Sequence, residues 1–169
     1  MRLSRTLAVL AMLIVPAAAG CGVIGFDISQ DIPSSMIIGT QMETVAVVDA
    51  PPTPLMIDVD AEAEKQGGLA SSAWLKELTF TVTSPTKGTF YFVSAVAITI
   101  DAPSAKLPEI KIAQLEPVPN LQTISVTPIP GVELLPYARA GAQIHAKAVG
   151  FFPKEDTTYV GKVVIHVKI

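Results

Sequence analysis

Apolar and polar side chains alternate residue by residue through most of this chain, and proline-rich turns interrupt the pattern about every 10–15 residues. In Trp74 to Thr83, Leu78, Phe80 and Val82 alternate with Glu77, Thr79, Thr81 and Thr83. Leu55, Ile57 and Val59 alternate with Met56, Asp58 and Asp60, and the same rhythm returns in Ala142 to Val149 and Val163 to Ile169. A period of two puts one set on each face of a strand, so each segment reads as a strand with one buried side. Fourteen prolines reinforce this, because proline fixes φ and removes a backbone donor.

The strands can be laid out along the chain. Residues 22–35 read as a short strand and a loop, and Met36 to Val48 as a strand broken at Gly39. Asp49 to Pro54 is a stiff turn, Leu55 to Ala61 a strand, and Ala63 to Ser72 a loop or brief helical turn. Phe90 to Ile100, apolar on both faces, predicts a central strand covered on both sides. Leu107 to Leu115, Leu121 to Val126 and Val132 to Leu135 are shorter strands, and Pro136 to Gly141 a corner or single helical turn. Ala142 to Val149 and Tyr159 to Ile169 form the last pair. About eight or nine strands without a long helix predict an all-β, two-sheet antiparallel sandwich, immunoglobulin-like in general layout. A closed barrel is the runner-up. A transmembrane barrel is disfavoured, since prolines and charges interrupt the segments and no aromatic girdle is present.

The first twenty residues follow another rule. Met1 to Arg5 is a short cationic start, Thr6 to Pro16 an apolar run, and Ala17 to Gly20 a row of small residues before the only cysteine, Cys21. This is the signal-peptide pattern, and the apolar run falls short of the roughly 20 residues that span a bilayer. Ala18-Ala19-Gly20-Cys21 resembles the lipobox of bacterial lipoproteins. The resemblance implies a mature N-terminus at Cys21 carrying acyl chains such as palmitate, and hence a lipid-anchored envelope protein. At about 0.8 kcal/mol per buried CH₂, two or three long chains hold a protein on a membrane almost permanently. Gly22 follows the cysteine in place of the aspartate that marks inner-membrane retention, which favours the outer membrane. Three parts follow: a signal peptide over 1–20, an anchored segment over 21–35 and the sandwich over 36–169. Phe26 to Gly39 (FDISQDIPSSMIIG), Trp74 to Thr83, Leu135-Pro136-Tyr137 and the ending Gly150 to Ile169 also resemble, in overall layout, uncharacterised envelope lipoproteins of myxobacterial type. That resemblance implies no activity.

Composition bounds the rest. Loss of Arg2 and Arg5 with the leader leaves ten basic against fifteen acidic side chains, a net charge of −5. An acidic chain has no electrostatic footprint for phosphate backbones, so nucleic acid is set aside. A lone cysteine cannot staple the domain, and a core of 149 residues must hold by packing. No G-x-S-x-G, H-E-x-x-H, P-loop or Cys-x-x-Cys motif occurs, and no cofactor is implied.

Four features remain as candidate surfaces. A hairpin centred near Glu155 and Asp156 would set His145 opposite His166, Gln143 opposite Lys168 and Lys147 opposite Val164. Opposed Cβ atoms are about 5 Å apart, close enough for two imidazoles to share a metal. No third ligand is evident, however, and Lys147, Lys162 and Lys168 oppose a cation, so solvated strand histidines are the expectation. Asp58, Asp60, Glu62 and Glu64 would line one strand face about 6.5–7 Å apart, too far for tight chelation, and read as a solubilising row. Phe151 and Phe152, before Pro153, suit contact with a bilayer or partner if exposed, though such residues more often fold back to plug a sandwich. Tyr137 has the place of a tyrosine that closes a sandwich corner. The expected function is a non-catalytic binding or structural module whose partners are the membrane, through the lipid on Cys21, and an unknown envelope protein or glycan. The alternatives are a small hydrolase using His145 or His166, and a weak metal-binding protein.

Overall fold

Two antiparallel sheets pack face to face in the computed structural model, which describes residues 25–41 and 44–169. The first sheet has the order β1-β10-β4-β7, formed by β1 (Gly25–Ile37), β10 (Thr157–Lys168), β4 (Ser72–Ser84) and β7 (Thr123–Ser125). The second has the order β2-β9-β5-β6-β8, formed by β2 (Val45–Asp49), β9 (Gln143–Phe151), β5 (Val93–Ala102), β6 (Leu107–Leu115) and β8 (Thr127–Pro128). The short β3 (Thr53–Pro54) also pairs with β9. Every pairing is antiparallel, and the chain is the expected two-sheet sandwich rather than one closed barrel.

The alternation explains the core. Leu78, Phe80 and Val82 of β4, Val163, Ile165 and Val167 of β10, and Ile98 and Ile100 of β5 are all buried between the sheets. Ala73 and Leu75 are buried on β4 as well, so the inward parity changes between Leu75 and Leu78. The cause is an irregularity in the β4–β10 ladder, where Ile165 faces Leu75 and Val164 faces Glu77, leaving Lys76 as the extra residue. That bulge turns Trp74 and Lys76 to the outside.

Several local expectations give way. β1 runs unbroken as one element through residues expected to be strand, loop and strand, with a shift in register around Pro33 and Ser34. It therefore starts the sandwich at Gly25, and the boundary placed after residue 35 falls inside it. Leu55, Ile57 and Val59 are buried as their alternation predicts, but Leu55 to Asp58 pair with no strand and Val59–Lys65 is a helix, α1. Asp58 caps it, its Oδ1 accepting from Ala61 N at 3.0 Å, and Asp60 and Glu62 in the first turn with Lys65 in the last suit the helix dipole. The strand expected over Val132 to Leu135 does not form, while Leu135–Arg139 is a second short helix, α2, in keeping with the helical turn expected over Pro136 to Gly141. β5 is central in its sheet, but its outward residues are at most half-buried, since among the described residues no third layer covers them.

The largest correction concerns the C-terminal pair. β9 and β10 do not form a hairpin: β9 pairs with β2, β3 and β5, whereas β10 pairs with β1 and β4. The residues between them carry the chain from one sheet to the other.

Candidate functional site

That crossing decides what the histidines can do. His145 stands opposite Thr99 on the outer face of one sheet, and His166 stands opposite Asp27 and Trp74 on the outer face of the other. Two sheets lie between them, about 10 Å thick before side chains are counted. The proposed metal pair has no geometric basis, and among the described residues no group of three His, Cys, Asp or Glu side chains is placed to hold a metal ion.

Each histidine has a carboxylate instead. His145 Nε2 lies 3.1 Å from Asp101 Oδ1 on the neighbouring strand. Beside them a groove of about 420 Å³ is lined by Thr99, Glu109, Lys111, Lys147 and Asp49. Thr99 has a hydroxyl of the kind a nucleophile needs, but it donates to Glu109 Oε1 at 2.5 Å. A base activates a hydroxyl by accepting its proton. Here that position belongs to Glu109, and the His145 groove is not arranged as a nucleophile–base pair.

His166 belongs to a denser cluster. Its Nδ1 lies 2.6 Å from Asp27 Oδ1, and Lys76 Nζ donates to the other oxygen, so three adjacent strands are tied together on their outer face. The hydrogen bond from Lys76, and then that from His166, holds the Asp27 carboxyl below the usual carboxylate range. The imidazole packs on Trp74 with ring centroids 4.6 Å apart, and Lys168 Nζ lies 5.0 Å from the Trp74 ring. The other ring nitrogen, Nε2, is pressed over Gly25, where an added Cβ would fall only 2.4 Å from it. A side chain at that position would push the ring aside. Trp74 was not among the sequence candidates. Its signal was the spacing of three between Leu75 and Leu78, which betrays the bulge.

The acidic row divides among separate duties once α1 replaces the expected strand. Asp58 is the cap, Glu62 Oε1 pairs with Lys65 Nζ at 2.6 Å, and Asp60 takes a two-pronged bond from Arg139 at 2.8 and 2.7 Å. The Arg139 bond lowers the Asp60 pKa and joins α1 to α2. Tyr137 is buried on α2, and its hydroxyl donates to the carbonyl of Pro108 at 2.9 Å, so it closes a corner as expected, though against β6 rather than its own turn.

Phe151 and Phe152 do not plug the sandwich. Phe151 shares the outward parity of Lys147 and Val149, while Gly150 occupies the inward position, and the two aromatics remain 48% and 37% exposed. With Tyr91, Phe92 and Lys154 they border a pocket of about 240 Å³. Val45 faces Phe151 across the β2–β9 ladder, and Val45, Val47, Met36 and Ile38 are all exposed at the same end of the sandwich. The result is an apolar tip made from the ends of β1 and β9 and the start of β2. Exposed apolar residues gathered at one end of a domain, here with Phe151, Phe152, Tyr91 and Phe92 around one pocket, are candidates for a partner surface.

Cys21 lies outside the described residues. No helix among those described is long and apolar enough to cross a membrane. No protein-family model matches the chain, and no curated protein does. Among solved structures, one from Desmodium yellow mottle tymovirus is similar at 14% identity with a TM-score of 0.25, covering 99% of this chain and 96% of that one. One from turnip yellow mosaic virus is similar at 11% identity with a TM-score of 0.29, covering 98% and 90%. Similarity at that level carries no functional content.

Proposed function

We propose that this chain is an envelope lipoprotein, held on a membrane by acyl chains on Cys21, whose sandwich is a non-catalytic module that binds another envelope component through its apolar tip. The membrane is the outer one, by the absence of an aspartate after Cys21. The anchor rests on the leader and the Ala18-Ala19-Gly20-Cys21 run. The binding role rests on one observation, the exposed Phe151, Phe152 and Tyr91 around a pocket, with Val45 exposed across the ladder from Phe151. Aromatic residues in such a setting supply large contact area at small entropic cost, which favours a protein partner over a glycan. The hydrolase alternative has less support, because the Thr99 hydroxyl, across the ladder from His145, donates to Glu109.

Photo-crosslinking in intact cells tests the binding role. A benzophenone side chain at position 152 should yield a discrete adduct, and the same group at exposed Met56 should not. Equal yields from the two positions, or none from 152, would remove the tip as the binding surface.

A further inference from the structure

The tether to Cys21 is short, and its point of attachment is fixed. Gly25, the first residue of β1, stands opposite Lys168 near the end of β10, which in turn faces Ser72 at the start of β4. Four residues of chain from Cys21 reach at most about 14 Å, so lipidated Cys21 keeps this end of the sandwich close to the bilayer. β1 then runs to Ile37 at the other end, about 40 Å away along the strand, where the apolar tip lies.

The tethered end presents side chains suited to a lipid interface. Leu69 is 73% exposed on the loop between α1 and β4. Gly67 turns that loop with a φ of +83°, Gly68 lies against the Ile169 side chain, and Ser71 N donates to the Lys168 carbonyl at 2.8 Å. The loop is thus held at the end of the sandwich with its leucine outward. Trp74 and Lys168 lie beside it on the outer face, an aromatic ring and a long cationic chain of the kinds that settle at headgroup depth. Three nearby acids are matched: Asp27 by Lys76 and His166, Asp60 by Arg139, Glu62 by Lys65. Glu133 beside Trp74 accepts from the backbone N–H groups of Ala73 and Leu135 instead of from a cation, so part of the acidic charge, not all of it, is muted where it would meet anionic headgroups.

We infer that this end of the sandwich rests on the phospholipid bilayer, with Leu69 entering it and Trp74 and Lys168 at the headgroups, so that the apolar tip points away from the membrane. This rests on the lipid-anchor reading. Trp74 is the only tryptophan, and its emission reports the contact directly. The lipidated protein is placed in vesicles of phosphatidylethanolamine and phosphatidylglycerol, with plain or brominated acyl chains. Brominated lipid should quench Trp74. Leu69→Asp should weaken that quenching while the protein still floats with the vesicles. Moving the reporter to the tip, by combining Trp74→Phe with Phe152→Trp, should abolish it. Protein that floats with vesicles while Trp74 is not quenched overturns the orientation and leaves the anchor standing. Equal quenching at 74 and 152 also overturns it, since the domain then lies on its side. Protein that does not float at all removes the anchor and this inference together.

Discussion

Replacing Gly150 by alanine should destabilise the sandwich, although the same change in a strand usually helps. Glycine in a strand interior costs roughly 0.5–1 kcal/mol relative to alanine, because its unfolded chain is freer. At Gly150 the space is missing. A methyl group there would lie 2.0 Å from the Phe92 carbonyl oxygen and 2.8 Å from Val93 Cα. Both are backbone atoms, and the carbonyl is held because it accepts from Phe151 N at 2.7 Å. The strand must move, and overpacking of this kind costs typically 1–3 kcal/mol; taking the upper end and returning the glycine term leaves a loss of about 2 kcal/mol. For a domain of this size that is a fall in Tm of about 4–8 °C. Thermal and urea melts of a chain starting at Gly22, followed by circular dichroism, measure it. Gly131→Ala is the control, since Gly131 has a φ of +77° but open space around its Cβ, so its penalty of about 1 kcal/mol comes from backbone conformation alone. A Gly150→Ala domain melting at or above the wild-type temperature would refute the close approach of β9 to Phe92.

Two further outcomes follow from the ends of β1. Cys21→Ser should leave the precursor unprocessed by a lipoprotein peptidase and free of acyl chains, as mass spectrometry of the N-terminus will show; an unmodified Cys21 terminus in the wild type would sink the anchor. Asp27 has a folded pKa below its unfolded one, so its contribution is present above the ordinary carboxylate range and is lost as pH falls through the folded value. Asp27→Asn should therefore lower the unfolding free energy from urea melts slightly at pH 7, by about 0–1 kcal/mol as for an exposed pair, and the gap to wild type should narrow as the pH falls below the ordinary carboxylate range. A gap that does not change with pH would mean that the charge on Asp27 does nothing.

Alternation carried the burial of residues further than it carried their backbone. Leu55, Ile57 and Val59 point inward as their spacing demands, yet only the first part of that segment is extended. The helix that follows was legible in Asp58 as a cap, in acids at Asp60 and Glu62 and in Lys65 at the far end, a pattern that competes with the two-residue period. Pairing partners were not legible at all. A strand's sequence states which side is apolar, not which neighbour it bonds, so β9 and β10 looked like a hairpin because they are consecutive. The His166–Asp27 contact spans 139 positions in the chain, and nothing short of the β1–β10 ladder brings those residues together.

The same crossing explains why the tip is apolar, exposed and well held. Two inter-sheet connections run side by side there, one after β1 leading toward β2 and the other from β9 to β10. They bond to each other: Thr40 N donates to the Pro153 carbonyl at 2.8 Å, and Gly39 N donates to Asp156 Oδ1 at 2.9 Å. Gly39 lies so close to the second connection that a Cβ would fall 2.5 Å from the Glu155 carbonyl carbon. Lys154 N donates to the Tyr91 hydroxyl at 3.0 Å, which fixes one wall of the pocket. With the outward parity of Phe151 set by β9 and the two connections bonded to each other, the aromatic residues have no layer among the described residues to fold under. Their exposure follows from the topology. A partner covering such a tip orders little backbone as it binds, so more of the apolar area it buries can appear as affinity.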